Sequence, residues 1–269
     1  MDLGNPFQVT GKRCDFSVVN QGEIPRWYTL VASTVVEKVV MRIAGGCKGM
    51  NAQDKNDMLN FFSFGLSGFK GLITSGATRE VREGIIDPMV TEVPGVIASA
   101  NSGCIALGTV PRTGLLGLVD QSRMVIGEYN TPPNPNMTGF LVVEEGIDVS
   151  SDWDGDLSTY FAFMKDLVLY GGFLKAGLIA WNGGAITGDE IIKSLQLSWP
   201  TILIEGSGRI TDEIISYSRG ENVVTFTDLQ ERHKMAVDKL PEDNSLIIVS
   251  RDKPNNLREK LIENSFIRE

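Results

Sequence analysis

The chain is poor in the residues that metal binding and disulfide bonding require. Its 269 residues include one histidine, His233, and three cysteines, Cys14, Cys47 and Cys104. A lone imidazole excludes a histidine-pair metal site and disfavours Ser-His catalysis. Three scattered cysteines are too few for a disulfide framework or a cysteine zinc site. We therefore expect reduced thiols, no metal, a cytoplasmic location and a solvent-facing His233.

Positive charge and long apolar runs are also scarce. The chain has 25 Lys and Arg residues against 34 Asp and Glu residues, for a formal net charge of −9. This balance disfavours nucleic acid and anionic membranes as partners. No apolar run approaches the roughly 20 residues of a membrane-spanning helix, and the N-terminus MDLGNPFQVTGKRC has no leader pattern. A hydrophobic content of 42% is nevertheless enough for a full core.

Short apolar runs without polar alternation recur along the chain and alternate with helical spacing. Such runs are typical of strands that are covered on both faces of a parallel sheet. The pattern predicts an α/β protein with a Rossmann-like, doubly wound, mainly parallel sheet and helices on both faces. We expect one domain over residues 1–269, in which residues 1–35 form an edge strand and a connector. The predicted strands are Lys38–Ile43, Gly71–Thr74, Cys104–Thr109, Phe140–Val143, Gly177–Trp181, Thr201–Ile204, Asn222–Thr225 and Ser245–Val249.

The helical spacing lies between these strands. One predicted helix follows the turn at Thr78 and ends near Asp87, because Pro88 restricts the residue before it. Another is capped by Asp156 or Ser158. The other predicted helices are Asp54–Leu66, a segment containing Ile191, Ile192 and Leu195, a segment that starts after Thr211, Asp228–Asp238 and Asn255–Glu263.

Four glycine turns, AGGCKGM, TSGAT, NGGAITG and EGSGR, each follow a predicted strand. In a doubly wound sheet these turns lie at the carboxyl edge, and those beside the switch in strand order face one crevice. Their N–H groups and the following helix ends can bind phosphate oxygens. The candidate residues of the first three turns are Gly45, Gly46, Lys48, Gly49, Ser75, Gly76, Thr78, Gly183 and Gly184. Arg112 can reach a ligand from a separate loop.

The fourth turn lies in TILIEGSGRITDEIISYS, which predicts a strand, an anion-sized loop and a helix with Thr211 as N-cap. Its candidate binding residues are Gly206, Ser207, Gly208, Arg209 and Asp212, of which Arg209 can grip a phosphate in bidentate fashion. Glu205 and Glu213 are weak candidates for acid/base chemistry. For Asp212 and Glu213 the alternative role is charge stabilisation at the helix N-terminus. Neither GxGxxG nor GxxxxGK[ST] follows a strand, which disfavours dehydrogenases and P-loop ATPases.

Over roughly Val39 to Val249, the sequences GGCKGM, SGAT, NGGAITG and GSGRITDE resemble the LSDAT branch of the SLOG superfamily. This branch includes the cytosolic N-terminal region of TRPM channels, and it is distantly similar to LONELY GUY and lysine decarboxylase-like proteins. The resemblance implies a nucleotide-derived ligand such as ADP-ribose. It also implies a phosphate and ribose pocket lined by Gly45, Gly46, Gly76, Thr78, Gly206, Ser207, Gly208 and Arg209.

LONELY GUY enzymes are phosphoribohydrolases that carry the motif P-G-G-x-G-T-x-x-E. We aligned that motif with GSGRITDE, which lacks the proline and the threonine and keeps Glu213 as a nearby acid. We therefore expect a sensor that binds its ligand without turnover, needs no cofactor, and acts through a homodimer or a separate effector protein. The alternatives are a phosphoribohydrolase or N-glycoside hydrolase of a nucleoside monophosphate, assisted by Glu205 or Glu213, and an interaction module with a vestigial pocket. The base and the number of phosphates stay open.

Overall fold

The computed structural model describes residues 4–9, 12–19, 35–76, 80–82, 85–87, 89–111, 136–143, 153–221, 227–239 and 246–268. Nine strands of these residues form one sheet, and two more form a separate hairpin. The sheet strands are β1 (Gly4–Val9), β2 (Lys12–Val19), β3 (Val39–Gly46), β4 (Leu72–Gly76), β7 (Ile105–Pro111), β8 (Gly139–Val143), β9 (Lys175–Asn182), β10 (Thr201–Glu205) and β11 (Leu246–Ser250). The hairpin strands are β5 (Glu80–Arg82) and β6 (Ile85–Asp87).

The strand order in the sheet is β1-β2-β8-β7-β4-β3-β9-β10-β11. Only the edge pair β1 and β2 is antiparallel, and all other neighbours within this sheet are parallel. From β3 the chain builds outward through β4 and β7 on one side, and then returns to β9 and continues through β10 on the other. The order therefore switches between β3 and β9, where a doubly wound sheet opens its ligand crevice.

Helices cover both faces of the sheet. They are α1 (Ala52–Gly65), α2 (Val93–Ala100), α3 (Trp153–Tyr170), α4 (Ala185–Gln196), α5 (Arg209–Ser218), α6 (Glu231–Val237) and α7 (Pro254–Glu263). Side chains of α1, α2 and α7 share a buried cluster on one face. Side chains of α3, α4 and α5 form buried clusters on the other. The expected Rossmann-like, doubly wound, mainly parallel architecture is confirmed.

Strand β3 illustrates how both faces are filled. Val39, Met41 and Ile43 point to the cluster with α1, α2 and α7, whereas Val40 belongs to a cluster on the opposite face. Because successive side chains alternate between faces, a central strand must be apolar at nearly every position. The exception is Arg42, which is buried among the helices of the second face.

Three local predictions are wrong. The segment before Asp87 is the β5–β6 hairpin and not a helix. Helix α3 begins at Trp153, ahead of both predicted caps. The N-terminal region contains two paired strands where a single edge strand was expected. The predicted strand Asn222–Thr225 lies outside the described residues. No helix in the described part of the chain is long and apolar enough to cross a membrane.

Candidate functional site

Three of the four glycine turns meet at Asn182, the last residue of β9. Its side-chain Nδ2 donates to the carbonyl of Lys48 in the first turn at 3.2 Å. Its backbone N–H donates to Ser207 Oγ at 2.8 Å, and its carbonyl accepts from Thr211 Oγ1 at 2.7 Å. Asn182 has a φ of +57°, which redirects the chain out of the strand. The expected convergence of the first, third and fourth turns therefore exists.

The remaining polar atom of Asn182 is an acceptor in this junction. Asn182 is only 2% exposed, and its Oδ1 has no hydrogen-bond donor among the described residues. A Cβ on Gly208 would lie 3.3 Å from this oxygen, so the glycine keeps the space beside it open. Buried acceptors are nearly always paired, because an unpaired one costs about 1–3 kcal/mol. We therefore expect Asn182 Oδ1 to accept a hydrogen bond from a hydroxyl, an amine or a water molecule.

The N-terminus of α4 opens beside Asn182. Gly184 is its N-cap, and no side chain in the described part of the chain caps this helix. The first N–H groups of a helix have no partner within it and carry partial positive charge. A Cβ on Gly184 would lie 2.9 Å from Nη2 of Arg209, so the guanidinium lies directly beside this helix end. Helix end and guanidinium together form a site for an anion.

The Arg209 guanidinium is itself held by an acid. Its Nε and Nη2 donate to the two carboxylate oxygens of Asp228, at 3.0 and 2.8 Å. The side chains of Arg209 and Asp228 are 26% and 17% exposed. A bidentate pair fixes the plane of the guanidinium and leaves Nη1 outside the pair. Arg209 is therefore oriented in advance, at the cost of part of its positive potential.

Asp212 occupies the loop that was expected to bind phosphate. Its carboxylate oxygens accept from Gly206 N and Gly208 N, both at 2.8 Å. Burial raises the pKa of Asp212 above its ordinary value, although the two backbone bonds act in the opposite direction. Within the loop, Ser207 is buried and holds Asn182. Because two N–H groups of this loop already bind an internal carboxylate, this loop is less available to an anion than the N-terminus of α4.

The helix that follows this loop starts earlier than expected. Gly208 is the N-cap of α5, and Arg209 is its first residue. The prediction that Thr211 is the N-cap is therefore wrong. The Thr211 hydroxyl donates to the Asn182 carbonyl instead, because the helix already begins two residues before it, at Arg209.

The two weak candidates for acid chemistry have structural partners. Glu205 forms an ion pair with Arg219 at the surface. The Glu213 carboxylate accepts three consecutive backbone N–H groups, those of Thr227, Asp228 and Leu229. Neither carboxylate is directed at the α4 N-terminus by these contacts.

The first turn contributes both packing and exposed groups. Gly45 pairs with Trp181 in the sheet and has a φ of +149°, and a Cβ there would lie 2.1 Å from the Trp181 carbonyl oxygen. Gly45 therefore permits close strand contact. Gly46 lies one residue further, opposite Asn182, and Lys48 and Gly49 are exposed. The ligand roles of Gly46, Lys48 and Gly49 stay predictions.

The second turn lies beside the short helix Val90–Glu92. Ser75 is buried, and its hydroxyl donates to the carbonyls of Gly76 and Thr91 at 2.9 and 3.4 Å. A Cβ on Gly76 would lie 3.2 Å from the Thr91 methyl group. The described residues of this turn form no hydrogen bond with Asn182, so its place in the crevice stays a prediction. Thr78 and Arg112 lie outside the described residues.

A buried ionic cluster below α4 was missed by the sequence reasoning. Arg42 donates from Nε to Glu190 Oε1 at 2.9 Å, and its Nη2 lies 2.8 Å from the same oxygen. Tyr160 OH donates to this oxygen at 2.5 Å, and the guanidinium lies 3.7 Å from the Tyr160 ring centroid. Both charged side chains are 5% exposed. The sequence does contain a signal for this cluster, because Arg42 is a charged residue within a strand that is otherwise apolar and therefore buried.

Glu190 also ends a better match to the motif named above. NGGAITGDE agrees with P-G-G-x-G-T-x-x-E at Gly183, Gly184, Thr187 and Glu190, and differs at Asn182 and Ile186. This match lies in the third turn, one strand before the GSGRITDE sequence with which we had aligned the motif. The junction residue Asn182 and the N-terminus of α4 therefore both belong to the matched segment.

The prediction that His233 faces solvent is wrong. His233 is 1% exposed, its Nδ1 accepts from Gln230 N at 3.1 Å, and its Nε2 lies 3.0 Å from Asp189 Oδ1. Arg232 adds a bidentate pair to Asp189 at 2.8 and 2.7 Å. Burial alone would raise the pKa of Asp189, but the bonds from Arg232 and His233 lower it below its ordinary value. These contacts attach α6 to α4.

Metal coordination has no support in the described ranges. No group of three or more His, Cys, Asp or Glu side chains there is arranged to hold a metal ion. The groups that converge at α4 are backbone N–H donors, a guanidinium and an amide oxygen. Such groups suit a ligand that carries both anionic oxygens and hydroxyls.

Comparison with known proteins gives a family and distant similarity to solved structures. A family model described as "SLOG in TRPM, prokaryote" matches residues 96–245, more than half of the chain. No curated protein matches the chain. The X-ray structure of TM1055, a Northeast Structural Genomics Consortium target, is similar with a TM-score of 0.43 and 18% identity, covering 84% of this chain and 99% of that one. The assignment of a family rests on the sequence match alone.

Proposed function

The chain belongs to the family described as SLOG in TRPM, prokaryote, and from this membership we propose that it binds a nucleotide-derived ligand of the ADP-ribose class without turning it over. The ligand lies in the crevice between β3 and β9, with a phosphate at the N-terminus of α4. The coarser statement, a nucleotide-related binding or hydrolytic role, has the support of the family itself.

The observation that carries the proposal is Asn182 Oδ1, which has no donor among the described residues, beside a helix end that no described side chain caps. The oxygen lacks a donor among the described residues, whereas the helix N–H groups lack a side-chain cap and Nη1 of Arg209 lies outside its pair with Asp228. A ribose phosphate offers hydroxyl donors and anionic acceptors a few ångströms apart. Ligands with only one of these chemistries, such as a simple fatty acid or a sugar without phosphate, leave one half of the site unsatisfied.

Local positive charge is the second support. The chain carries a net charge of −9, so an anionic ligand must find its positive potential within the crevice. Arg209, although partly neutralised by Asp228, lies next to Gly184, and the end of α4 adds about 0.3–1 kcal/mol for an anion at an exposed site. A charge-assisted bond from Arg209 contributes about 1.5–3 kcal/mol.

The contacts of the candidate acids support binding without turnover. Hydrolysis of an N-glycosidic bond needs a carboxyl group that can reach the reacting atoms. Glu190 is buried against Arg42 and Tyr160, Glu213 accepts three backbone N–H groups, and Glu205 pairs with Arg219. Each candidate acid is therefore engaged in the ligand-free protein.

The second candidate function is hydrolysis of a nucleoside monophosphate by a phosphoribohydrolase-type reaction. The observation that favours it is the match of NGGAITGDE to the LONELY GUY motif, with Glu190 at the position of the motif's acid. Under this alternative Glu190 must exchange its Arg42 bond for a contact with substrate. Under either function we propose a cytoplasmic protein that needs no added cofactor, and the sensing role requires a second copy or an effector protein.

The test is calorimetric titration with ADP-ribose, AMP and NAD, followed by chromatography of each mixture for free base and ribose 5-phosphate. We expect saturable binding of at least one nucleotide and no product. Arg209→Ala should weaken that binding by about 10- to 100-fold, since it removes one charge-assisted bond. The matched control is Arg258→Ala, because Arg258 contacts the Ser67 carbonyl beyond the far end of α1.

Three outcomes separate the possibilities. Steady release of base or ribose 5-phosphate would refute binding without turnover and support the hydrolase function. Equal affinities for Arg209→Ala and the Arg258→Ala control would remove Arg209 from the site. No nucleotide binding at millimolar concentration, with the fold intact, would leave the interaction module with a vestigial pocket as the remaining function.

A further inference from the structure

We propose that Glu213 is a positioning residue for Arg209: its carboxylate fixes the backbone of residues 227–229 and so holds Asp228 against the guanidinium. This inference rests on the proposed function, because the purpose of the arrangement is to aim Arg209 at the anion site of α4. From the sequence alone, the predicted roles of Glu213 were acid/base chemistry and charge stabilisation at the helix N-terminus.

The first step is the set of hydrogen bonds between Glu213 and the backbone of residues 227–229. Oε1 accepts from Thr227 N at 2.7 Å, and Oε2 accepts from Asp228 N at 2.9 Å and from Leu229 N at 2.6 Å. Three consecutive N–H groups on one carboxylate form a concave anion-binding backbone, here occupied by a side chain of the same protein. Bonds to a charged acceptor are shorter and stronger than neutral ones. Glu213 therefore determines the backbone path of this segment.

The second step leads from the loop to the guanidinium. The backbone N–H of Asp228 donates to Glu213. The Asp228 carboxylate accepts hydrogen bonds from Nε and Nη2 of Arg209. Arg209 and Glu213 are four residues apart on α5, hence on the same side of the helix. The loop thus closes a ring that starts at Arg209, passes through Asp228 and returns to α5 at Glu213. Both ends of the ring are anchored to one rigid element.

The rest of the loop is anchored independently of Arg209. Leu229 is 7% exposed and packs in the cluster of α4 and α5 side chains. Gln230 N donates to the buried His233, so the following helix starts at a fixed place. Loss of Glu213 should therefore release residues 227 and 228 without unfolding α6. This separation makes the positioning role measurable apart from stability.

The advantage to the site is preorganisation. An arginine side chain that is free in solution loses about 2 kcal/mol of rotamer entropy when it is fixed. The Asp228 pair fixes two of its nitrogens before the ligand arrives, and Nη1 stays outside the pair. Orienting a side chain in advance increases affinity by removing an ordering cost from the binding step.

The test is a double-mutant cycle with ADP-ribose as the calorimetric probe. Glu213→Ala should weaken binding about tenfold when Arg209 is present, which corresponds to about 1.4 kcal/mol. In the Arg209→Ala background the same substitution should change the affinity less than twofold. Glu213→Gln retains one acceptor oxygen and should recover part of the loss. Glu221→Ala is the control, since Glu221 is an exposed acid just beyond the same helix.

A ligand-free measurement decides the inference if no nucleotide binds. The Nε–H of Arg209 donates to Asp228, so its exchange with water, followed by nitrogen-15 NMR, should be slow in the wild type. Glu213→Ala should accelerate this exchange at least fivefold, and Glu221→Ala should leave it unchanged. The Arg209→Ala variant identifies the signal.

The outcomes distinguish this inference from the proposed function. Equal losses from Glu213→Ala with and without Arg209 would overturn positioning and leave nucleotide binding in place. An unchanged Nε–H exchange rate in both Glu213 variants would overturn it as well. Accelerated exchange without any nucleotide affinity would support the positioning of Arg209 while the proposed function fails.

Discussion

Removal of Arg42 should destabilise the protein strongly, because it leaves the buried Glu190 carboxylate without its cation. Arg42 and Glu190 are each 5% exposed, and two guanidinium nitrogens lie 2.9 and 2.8 Å from Glu190 Oε1. In Arg42→Met a side chain of comparable length fills much of the space. The charge on Glu190 would then keep Tyr160 as its partner within the described chain.

The magnitude follows from the burial of the pair. Removing one partner of a buried ion pair costs about 3–5 kcal/mol, because the other charge stays desolvated. The stacking of the guanidinium on Tyr160, at 3.7 Å from the ring centroid, adds to the loss. A typical unfolding free energy is about 5–15 kcal/mol, so Arg42→Met should lose a third or more of the stability of an average domain.

The assay is urea unfolding followed by circular dichroism, with free energies from linear extrapolation. Arg42→Met/Glu190→Gln should recover about 2 kcal/mol of the loss, since it removes the unpaired charge and keeps an acceptor for Tyr160. The control is Arg268→Met. Arg268 is 76% exposed and pairs with the partly buried Glu37 at 3.1 Å, and an ion pair with a solvent-exposed cation contributes about 0–1 kcal/mol.

The result that would refute this reasoning is an Arg42→Met variant that loses less than about 1 kcal/mol, or no more than Arg268→Met. A double variant whose loss equals the sum of the two single losses would also contradict it. Additivity would mean that Arg42 and Glu190 contribute independently, in spite of their contact.

Three further predictions concern other parts of the molecule. Gly45→Ala should cost about 3 kcal/mol in unfolding free energy, because its Cβ would lie 2.1 Å from the Trp181 carbonyl oxygen. Asp189→Asn should reduce stability at neutral pH and flatten its decline in acid. The lowered pKa of Asp189 contributes stability that is present above about pH 4 and lost as the pH falls through the folded-state value. Phe62→Ala should cost about 3–5 kcal/mol and shift Trp181 fluorescence, since the ring centroids are 5.7 Å apart.

Each of these three predictions has its own measurement and an outcome that would contradict it. For Gly45 the comparison is Gly49→Ala, whose Cβ would meet nothing within 4 Å, and equal losses in thermal unfolding would contradict the packing argument. For Asp189, parallel stability curves of variant and wild type between pH 3 and 7 would show that its bonds contribute nothing. For Phe62, urea unfolding with unchanged stability would mean that the core closes around the deleted ring.

The sheet was largely predictable because its determinants are local. Runs such as Thr201–Ile204 must be strands buried on both faces, and the glycines after them must be turns. The order of strands along the chain then leaves few topologies, all of which bring the turns to one edge. Where local signals conflict, the prediction failed: the residues before Asp87 carry helix formers but form a hairpin.

The partners of the charged side chains were not predictable from the sequence. Arg42 and Glu190 are 148 residues apart, and Arg209 and Asp228 are 19 apart. No periodicity relates such pairs, because an ion pair is determined by how helices lie on the sheet and not by spacing along the chain. The same reason explains His233, whose charged neighbours in sequence suggested exposure while the packing of α6 on α4 buried it.

By itself the sequence determined the α/β architecture, the four glycine turns and the chemistry that a phosphate would find there. Only the tertiary structure decided which turn stays open. The GSGR loop closes on its own Asp212, Arg209 is oriented by Asp228, and the end of α4 remains available beside Asn182. Backbone N–H groups are present in every turn. A ligand can bind them only where no internal carboxylate already accepts their hydrogen bonds, and the tertiary structure determines where that is.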